Sequence, residues 1–315
     1  MTLMKCIRDV DLHEFSNWKV GGKATHIFEV NSLEEYKYAR EFISNSRVKH
    51  LHIGNTTNLL FDNGLIDVGM IRLGSNYDYV SISDDIAEVG AASYCPKVAR
   101  ILQSSGLSGL EHIVGIPATI GGLVYMNGGS KRRTISENII SITSITSQGE
   151  TIVRSVKDAN FSYRKSIYQN LENELIISIK IHLKPTEIDK IRRECLTILR
   201  DRRNKFPRKE PSCGSVFISD PKNYELAGPP GAIIESTGLK GARIGGAEIS
   251  NTHANFIINI GNAQALHILY LVKVINEKVR KKYGFELESE GLFVNKDGTL
   301  EPLHMAAKKI RDRYE

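Results

Sequence analysis

Between residues 177 and 183 apolar and polar positions alternate, Ile177, Ile179, Ile181 and Leu183 against Ser178, Lys180 and His182. That period of two predicts a strand with one buried face over 175–183. Residues 26–30, 48–53 and 139–145 read as further strands. Short apolar runs between Ile66 and Ala92, broken by Gly, Asn and Asp, predict two or three more. Elsewhere the period lengthens to that of a helix. Ser32 and Glu35 have capping-box spacing, with Leu33, Tyr36 and Ala39 following on one face. Pro96 suits the first turn of a helix that buries Val98, Ala99, Ile101 and Leu102 and that Gly106 ends. Thr186 and Asp189 offer a cap for a helix carrying Ile188, Ile191, Cys195 and Leu199, which must finish before Pro207. A final helix uses Leu271, Val272, Ile275 and Val279, with Gly284 where a left-handed C-terminal cap is expected. Strand, helix, strand and loop in succession predict an α+β chain. The pattern puts a boundary near Pro185 and a turn and basic helix after Val294.

A length of 315 residues suits two or three packed units, and 41% hydrophobic with 25% charged residues predicts order nearly throughout. Lys and Arg number 42 against 36 Asp and Glu, so the net charge is +6. Such an excess favours phosphate-bearing ligands if it is gathered in a cleft. It does not identify nucleic acid: the densest run, Arg200, Arg202, Arg203, Lys205, Arg208 and Lys209, has only Phe206 for stacking and reads as a solvated helix face and loop. Cys6, Cys95, Cys195 and Cys213 show neither CxxC spacing nor His partners, which argues against a metal site or disulfides and for reduced thiols in the cytoplasm. Met1 to Val10 carries Lys5, Arg8 and Asp9 and reads as no signal peptide. No window approaches the eighteen or more apolar residues of a membrane span.

Glycine clusters bring in candidate chemistry, because a residue without Cβ lets the backbone approach a ligand or take positive φ. None is the GxGxxG fingerprint between strand and helix, so a Rossmann site is not expected. Singly, each reads as a turn. In order they run Val20-Gly21-Gly22-Lys23-Ala24, Gly54-Asn55-Thr56-Thr57-Asn58-Leu59-Leu60, Gly109-Leu110-Glu111, Gly115-Ile116-Pro117 and Met126-Asn127-Gly128-Gly129. Phe161-Ser162-Tyr163-Arg164-Lys165-Ser166 and Pro211-Ser212-Cys213-Gly214-Ser215-Val216-Phe217 follow. Gly238-Leu239-Lys240-Gly241, Gly245-Gly246-Ala247, His253-Ala254-Asn255-Phe256 and Leu287-Glu288-Ser289-Glu290 close the series.

This collinear set, covering about residues 8–294, resembles the UDP-N-acetylenolpyruvoylglucosamine reductase family, in its shorter subtype. The resemblance implies an FAD-binding domain of the vanillyl-alcohol-oxidase type over 1–185, made of two α+β subdomains meeting near residue 75. A C-terminal α+β substrate domain over 186–295 and a tail over 296–315 would follow. It further implies non-covalent FAD, NADPH as hydride donor, and reduction of the enolpyruvyl ether of UDP-N-acetylglucosamine to UDP-N-acetylmuramate for peptidoglycan. Neither nucleic acid, membrane, metal nor an obligate protein partner is implied.

Carried over residue by residue, the resemblance assigns catalysis to Arg164 as the stabiliser of the enolate, Ser215 as proton donor and Glu290 as terminal acid. Cofactor binding falls to Gly21, Gly22, Gly54, Asn55, Thr56, Thr57, Asn58, Leu59, Gly115, Ile116, Pro117, Gly121, Gly122 and Asn127. Tyr163, Lys240, His253 and Asn255 are the expected substrate contacts. A guanidinium suits a carboxylate because it donates two parallel hydrogen bonds. Outside this context Arg164 reads as a structural ion pair, Ser215 as a turn serine and Glu290 as a solvated charge. Thr56 and Thr57 stand where the family's phosphate loop has glycine and serine, Ala118 where a glycine is common, Lys131 and Arg132 where Tyr and Gly are, and Gly291 and Leu292 where valine and arginine are. A β-branched residue resists positive φ, so the 54–58 loop is the expected point of strain. A paralogue acting on another unsaturated nucleotide sugar and a catalytically silent binding homologue are the competing readings. Retention of Arg164, Ser215 and Glu290 together argues against the second.

Overall fold

The computed structural model describes residues 5–207 and 209–310; Met1 to Met4, Arg208 and the last five residues of the expected tail lie outside the described residues. Its contacts divide the chain into two compact units that are interleaved in sequence. The first comprises residues up to Ile7, Ile27–Asn55 and Gly69–Asn204; the second comprises Arg8–His26, Thr56–Val68 and the chain from Lys205 onward. The chain therefore changes unit at Asn55–Thr56, inside the glycine- and threonine-bearing loop.

The first unit is built on an antiparallel five-stranded sheet in the order Thr151–Ser155, Ile139–Thr146, Glu174–His182, Ile86–Gly90, Val80–Ser83. The alternation in Glu174–His182 holds from Ile179 onward, with Ile179 and Ile181 fully buried and Lys180 and His182 exposed, but a register shift between Ile176 and Ser178 leaves Ile177 half-buried and Ser178 buried. The apolar runs from 66 to 92 resolve into three strands, Leu65–Leu73, Val80–Ser83 and Ile86–Gly90. Cys95–Ser104 is a helix with Pro in its first turn, and Gly106 at φ +70° follows its end. Ile101, expected in the core, is half-buried, whereas Cys95, Val98, Ala99 and Leu102 are buried. The Leu33–Asn45 helix is capped by Ser32, whose hydroxyl accepts from Glu35 N at 3.2 Å. The return bond from Glu35 goes to Asn31 N at 2.7 Å, one residue earlier than a capping box requires.

Ile188–Lys205 forms the long helix expected before Pro207 and buries Ile191, Cys195 and Ile198. Ile188 is instead 49% exposed, because a residue opening a helix precedes the turn that meets the core. The basic run divides likewise: Arg200, Arg203 and Lys205 are solvated, but Arg202 lies against Gly115, where an added Cβ would stand 2.5 Å from its Cδ. Arg202 is half-buried against that glycine, and the burial lowers its pKa.

In the second unit an antiparallel sheet, Arg243–Ile244, Ala247–Ile249 and Ile257–Asn259, packs with the Ala265–Tyr283 helix around Leu271, Val272, Ile275 and Val279. Gly284 caps that helix in the left-handed region at φ +80°, as its sequence position requires. Trp18 belongs to the same core, its indole N–H donating to Ile257 O at 2.8 Å. A second sheet takes Leu300–Pro302, Leu292–Val294 and Leu59–Phe61, the last two parallel. The residues after Val294 thus hold a strand as well as the Leu303–Lys308 helix; a three-residue strand leaves too little periodicity to be read.

Candidate functional site

Within the first unit the end of the 54–55 loop meets the segment 117–122. A Cβ on Gly54 would stand 2.6 Å from Thr119 Oγ1, and Asn55 Nδ2 donates to Pro117 O at 3.3 Å. Thr119 caps the Ile120–Tyr125 helix through Gly122 N, while Ile120 N and Gly121 N donate to Ser93 O and Ala91 O, both at 2.9 Å. A Cβ on Gly121 would stand 3.2 Å from Ala91 Cβ and O, a tight contact. Among the described residues the N–H groups of Gly54, Asn55 and Thr119 donate to no protein acceptor. Free backbone donors on closely approaching turns make a cradle for phosphate oxygens. Ile116 packs partly into the core, and Ala118 is buried there without positive φ, so alanine costs nothing at that position.

Asn127, at φ +42°, donates from Nδ2 to Ser162 O at 2.9 Å. This ties it to the turn bearing the expected enolate stabiliser. Ser162 and Lys165 exchange backbone bonds at 3.1 Å, leaving Tyr163 and Arg164 at the tip. Arg164 holds φ +58° and its guanidinium carbon lies 5.5 Å from the Tyr163 ring centre, a cation–π distance; Tyr163 itself is exposed. A left-handed non-glycine residue costs of order 1–3 kcal/mol unless its surroundings over-determine it. Here they do. Gln169 Nε2 donates to Arg164 O at 3.0 Å and to Tyr125 O at 3.1 Å, and Ser166 Oγ donates to Tyr125 O at 2.8 Å. Gln169 escaped the sequence reading because nothing marks an isolated glutamine.

The second unit carries Ser215 and Glu290 on two segments joined by an isolated β-bridge. Val216 O accepts from Glu290 N at 2.8 Å, Ile218 N donates to Glu288 O at 3.0 Å, and Phe217 bridges Ser289. Gly214 at φ +77° turns the chain just before Ser215. Asn255, expected to contact substrate, is buried with both ends of its amide engaged: Oδ1 accepts from Phe217 N and Nδ2 donates to Phe217 O, each at 2.9 Å. It fixes the segment that carries Ser215. His253 packs its ring against Phe206 and Phe256, with centroids 5.3 and 5.2 Å away. Burial, then the Lys240 charge, lowers the His253 pKa, and Lys240 pairs with Glu235 at 2.9 Å. Cys213 is inert, since burial pushes its thiol far up, and its Sγ donates to Leu59 O at 3.5 Å.

The remaining expected cofactor residues are closely packed by protein. Gly22 N donates to Asp62 O at 2.8 Å, and a Cβ there would stand 2.0 Å from Gly64 O; one on Gly21, at φ +148°, would stand 2.8 Å from Leu12 Cβ. Asn58 Nδ2 donates to Glu290 O at 2.9 Å, and Leu59 N to Thr56 O at 3.1 Å. Thr57 is half-buried beside them. Thr56 takes φ +54°, the strain its β-branched side chain announces, while its buried hydroxyl donates to Phe15 O at 3.5 Å. Relief of about 1–2 kcal/mol of left-handed strain outweighs so long a hydrogen bond. Thr56→Gly should therefore leave FAD affinity unchanged or tighten it. A tenfold loss in a fluorescence titration would mean that the side chain itself touches the cofactor.

Known proteins match along the whole of this arrangement. Residues 24–155 match the FAD binding domain family, and residues 206–294 match the family described as UDP-N-acetylenolpyruvoylglucosamine reductase, C-terminal domain. The chain is 37% identical over 299 residues to UDP-N-acetylenolpyruvoylglucosamine reductase 1 of Corynebacterium glutamicum, covering 95% of this chain and 89% of that protein. It is 35% identical to the reductase of Prochlorococcus marinus, covering 92% and 98%. The crystal structure of the reductase from Thermus caldophilus superposes with a TM-score of 0.78 at 29% identity, over 92% of this chain and 99% of that one. The fold is thus an FAD-binding domain joined to the family's C-terminal domain. The chain belongs to the UDP-N-acetylenolpyruvoylglucosamine reductase family.

Proposed function

We propose that this protein is an NADPH-dependent, FAD-mediated reductase that converts UDP-N-acetylglucosamine enolpyruvate to UDP-N-acetylmuramate for peptidoglycan synthesis. The observation that carries the reading is similarity at 37% identity over nearly the full length of a reductase of that name. The convergence of Gly54 and Asn55 on 117–122, with their unspent N–H groups, fits the diphosphate of FAD. FAD, held non-covalently, supplies the chemistry of accepting a hydride from NADPH and giving one to carbon.

The chain's own residues have the complementary tasks. Arg164 faces the substrate carboxylate with two parallel donors, which favours charge delocalised onto it when hydride reaches the adjacent carbon. Ser215 gives the proton to the carbon that bears the carboxylate. A hydroxyl is a poor acid in water, so it needs the strongly basic acceptor that an enolate provides and a fixed, dry position. Glu290 stands as the terminal acid on the adjoining segment, with Asn255 holding Phe217 so that the Ser215 segment keeps its place. Tyr163 in the first unit and Lys240 and His253 in the second are the residues assigned to substrate contacts. In this reading residues 1–185 serve the flavin and 186–295 the substrate.

We assign the enzyme to the cytoplasm, where its nucleotide substrate is made, with no obligate protein partner. No helix among the described residues is long and apolar enough to cross a membrane. Purified protein should be yellow, release free FAD on heat or acid denaturation, bleach anaerobically with NADPH, and recover its colour on addition of the enolpyruvyl UDP-sugar. Colourless protein that cannot be reconstituted with FAD would sink the flavoenzyme reading, and bleaching without recovery would sink the substrate.

A further inference from the structure

The segment after Val294 lies beyond the matched C-terminal family domain, yet it reaches back to the Ser289–Gly291 stretch. Ser289 N donates to His304 Nδ1 at 3.0 Å, and His304 N donates to Ser289 Oγ at 3.2 Å. Leu303 N donates to Gly291 O at 3.0 Å, and the fully buried Leu303 side chain comes within 2.7 Å of where a Cβ on Gly291 would stand. Glycine at 291, in place of the family's valine, is therefore the counterpart of Leu303. From the other side Glu290 N donates to Val216 O at 2.8 Å, and Glu290 O accepts from Asn58 Nδ2 at 2.9 Å. Both neighbours of Glu290 are thus held by residues 303–304, and its own backbone is held by Val216 and Asn58.

We infer that residues 295–310 form a clamp that positions Glu290, with His304 as its positioning residue; this rests on the proposed role of Glu290. His304 must be neutral at Nδ1 to accept from Ser289, with its proton on Nε2. Its surroundings favour that form, since burial lowers its pKa and Lys308 does so further, while Glu288 and Glu286 oppose. A displacement of a fraction of an ångström at a reacting group is worth a large factor in rate, so loosening the clamp should act on the step that uses Glu290 and on no other.

The test is stopped-flow measurement of both half-reactions in the full-length holoenzyme. His304→Ala should slow reoxidation by the enolpyruvyl UDP-sugar about 10- to 100-fold and leave reduction by NADPH within twofold. His304→Asn should restore most of the rate, because its amide oxygen can accept from Ser289 N. Introduced into Glu290→Gln, His304→Ala should add nothing, because a positioning residue has no effect once the group it positions is gone. Equal slowing in both backgrounds, or no slowing in the wild type, would overturn the clamp. If Glu290→Gln itself leaves reoxidation unchanged, the role of Glu290 fails, and the clamp fails with it. Should His304→Ala not fold, Gly291→Ala reads the same contact from its other side, since its methyl would collide with Leu303, and the same selectivity is required of it.

Discussion

Alanine at position 215 should leave reduction by NADPH nearly intact and slow reoxidation by the enolpyruvyl substrate by roughly 10²–10⁴-fold, about 3–5 kcal/mol of transition-state stabilisation. The selectivity follows from when the hydroxyl is used: a proton is needed at the substrate carbon only after hydride has reached its neighbour. The structure makes this a clean experiment. Ser215 is half-buried and its hydroxyl bonds to no described protein group, whereas the segment that follows it is fixed through the Val216 and Phe217 backbones. Removing the oxygen therefore takes away no contact that supports the fold. Ser215→Cys should recover part of the rate, as a thiol donates a proton from nearly the same place. Arg164→Lys should not mimic the pattern, because lysine lacks the planar fork. Equal slowing of both half-reactions by Ser215→Ala would indicate a defect in flavin binding, and undiminished reoxidation would remove Ser215 from the mechanism.

How far the sequence could be read depended on whether a residue's use was local. The Leu33–Asn45, Cys95–Ser104, Ile188–Lys205 and Ala265–Tyr283 helices announce themselves through caps and period, because both act within a few residues. Strain at Thr56 was legible for the same reason: a β-branched side chain in a glycine's place carries its own penalty. Contacts between distant segments were not. Arg202 looks solvated until Gly115 is seen against it, and Gly22 looks like a ligand loop until the 62–64 backbone is seen to need its space. Strand Leu300–Pro302 is defined by pairing with Leu292–Val294 and has no pattern of its own. Family motifs supplied the long-range grouping that local patterns lack, but they name residues without saying what each one touches.

Asn255 is the residue where that difference is largest. Its place in the His253-to-Phe256 motif suggests a substrate contact, whereas its buried amide spends a donor and an acceptor on the two backbone groups of Phe217. Asn255→Leu keeps the volume and leaves a buried N–H and a buried C=O without partners, at about 1–3 kcal/mol for each group. The second unit should lose about 2–6 kcal/mol of stability on that basis. Trp18 is the chain's single tryptophan and sits in that unit's core, so its fluorescence in a urea titration reports the loss directly. Asn255→Asp separates the two hydrogen bonds to Phe217. Its carboxylate still accepts from Phe217 N, but the other oxygen faces Phe217 O with no proton to share. Folding then favours the protonated acid, so the carboxyl pKa is raised in the folded state and the variant should gain stability as pH falls. For a residue that only touched substrate, both variants would keep the wild-type unfolding midpoint at every pH and raise the KM for the UDP-sugar alone. That outcome would return Asn255 to the substrate side of the site.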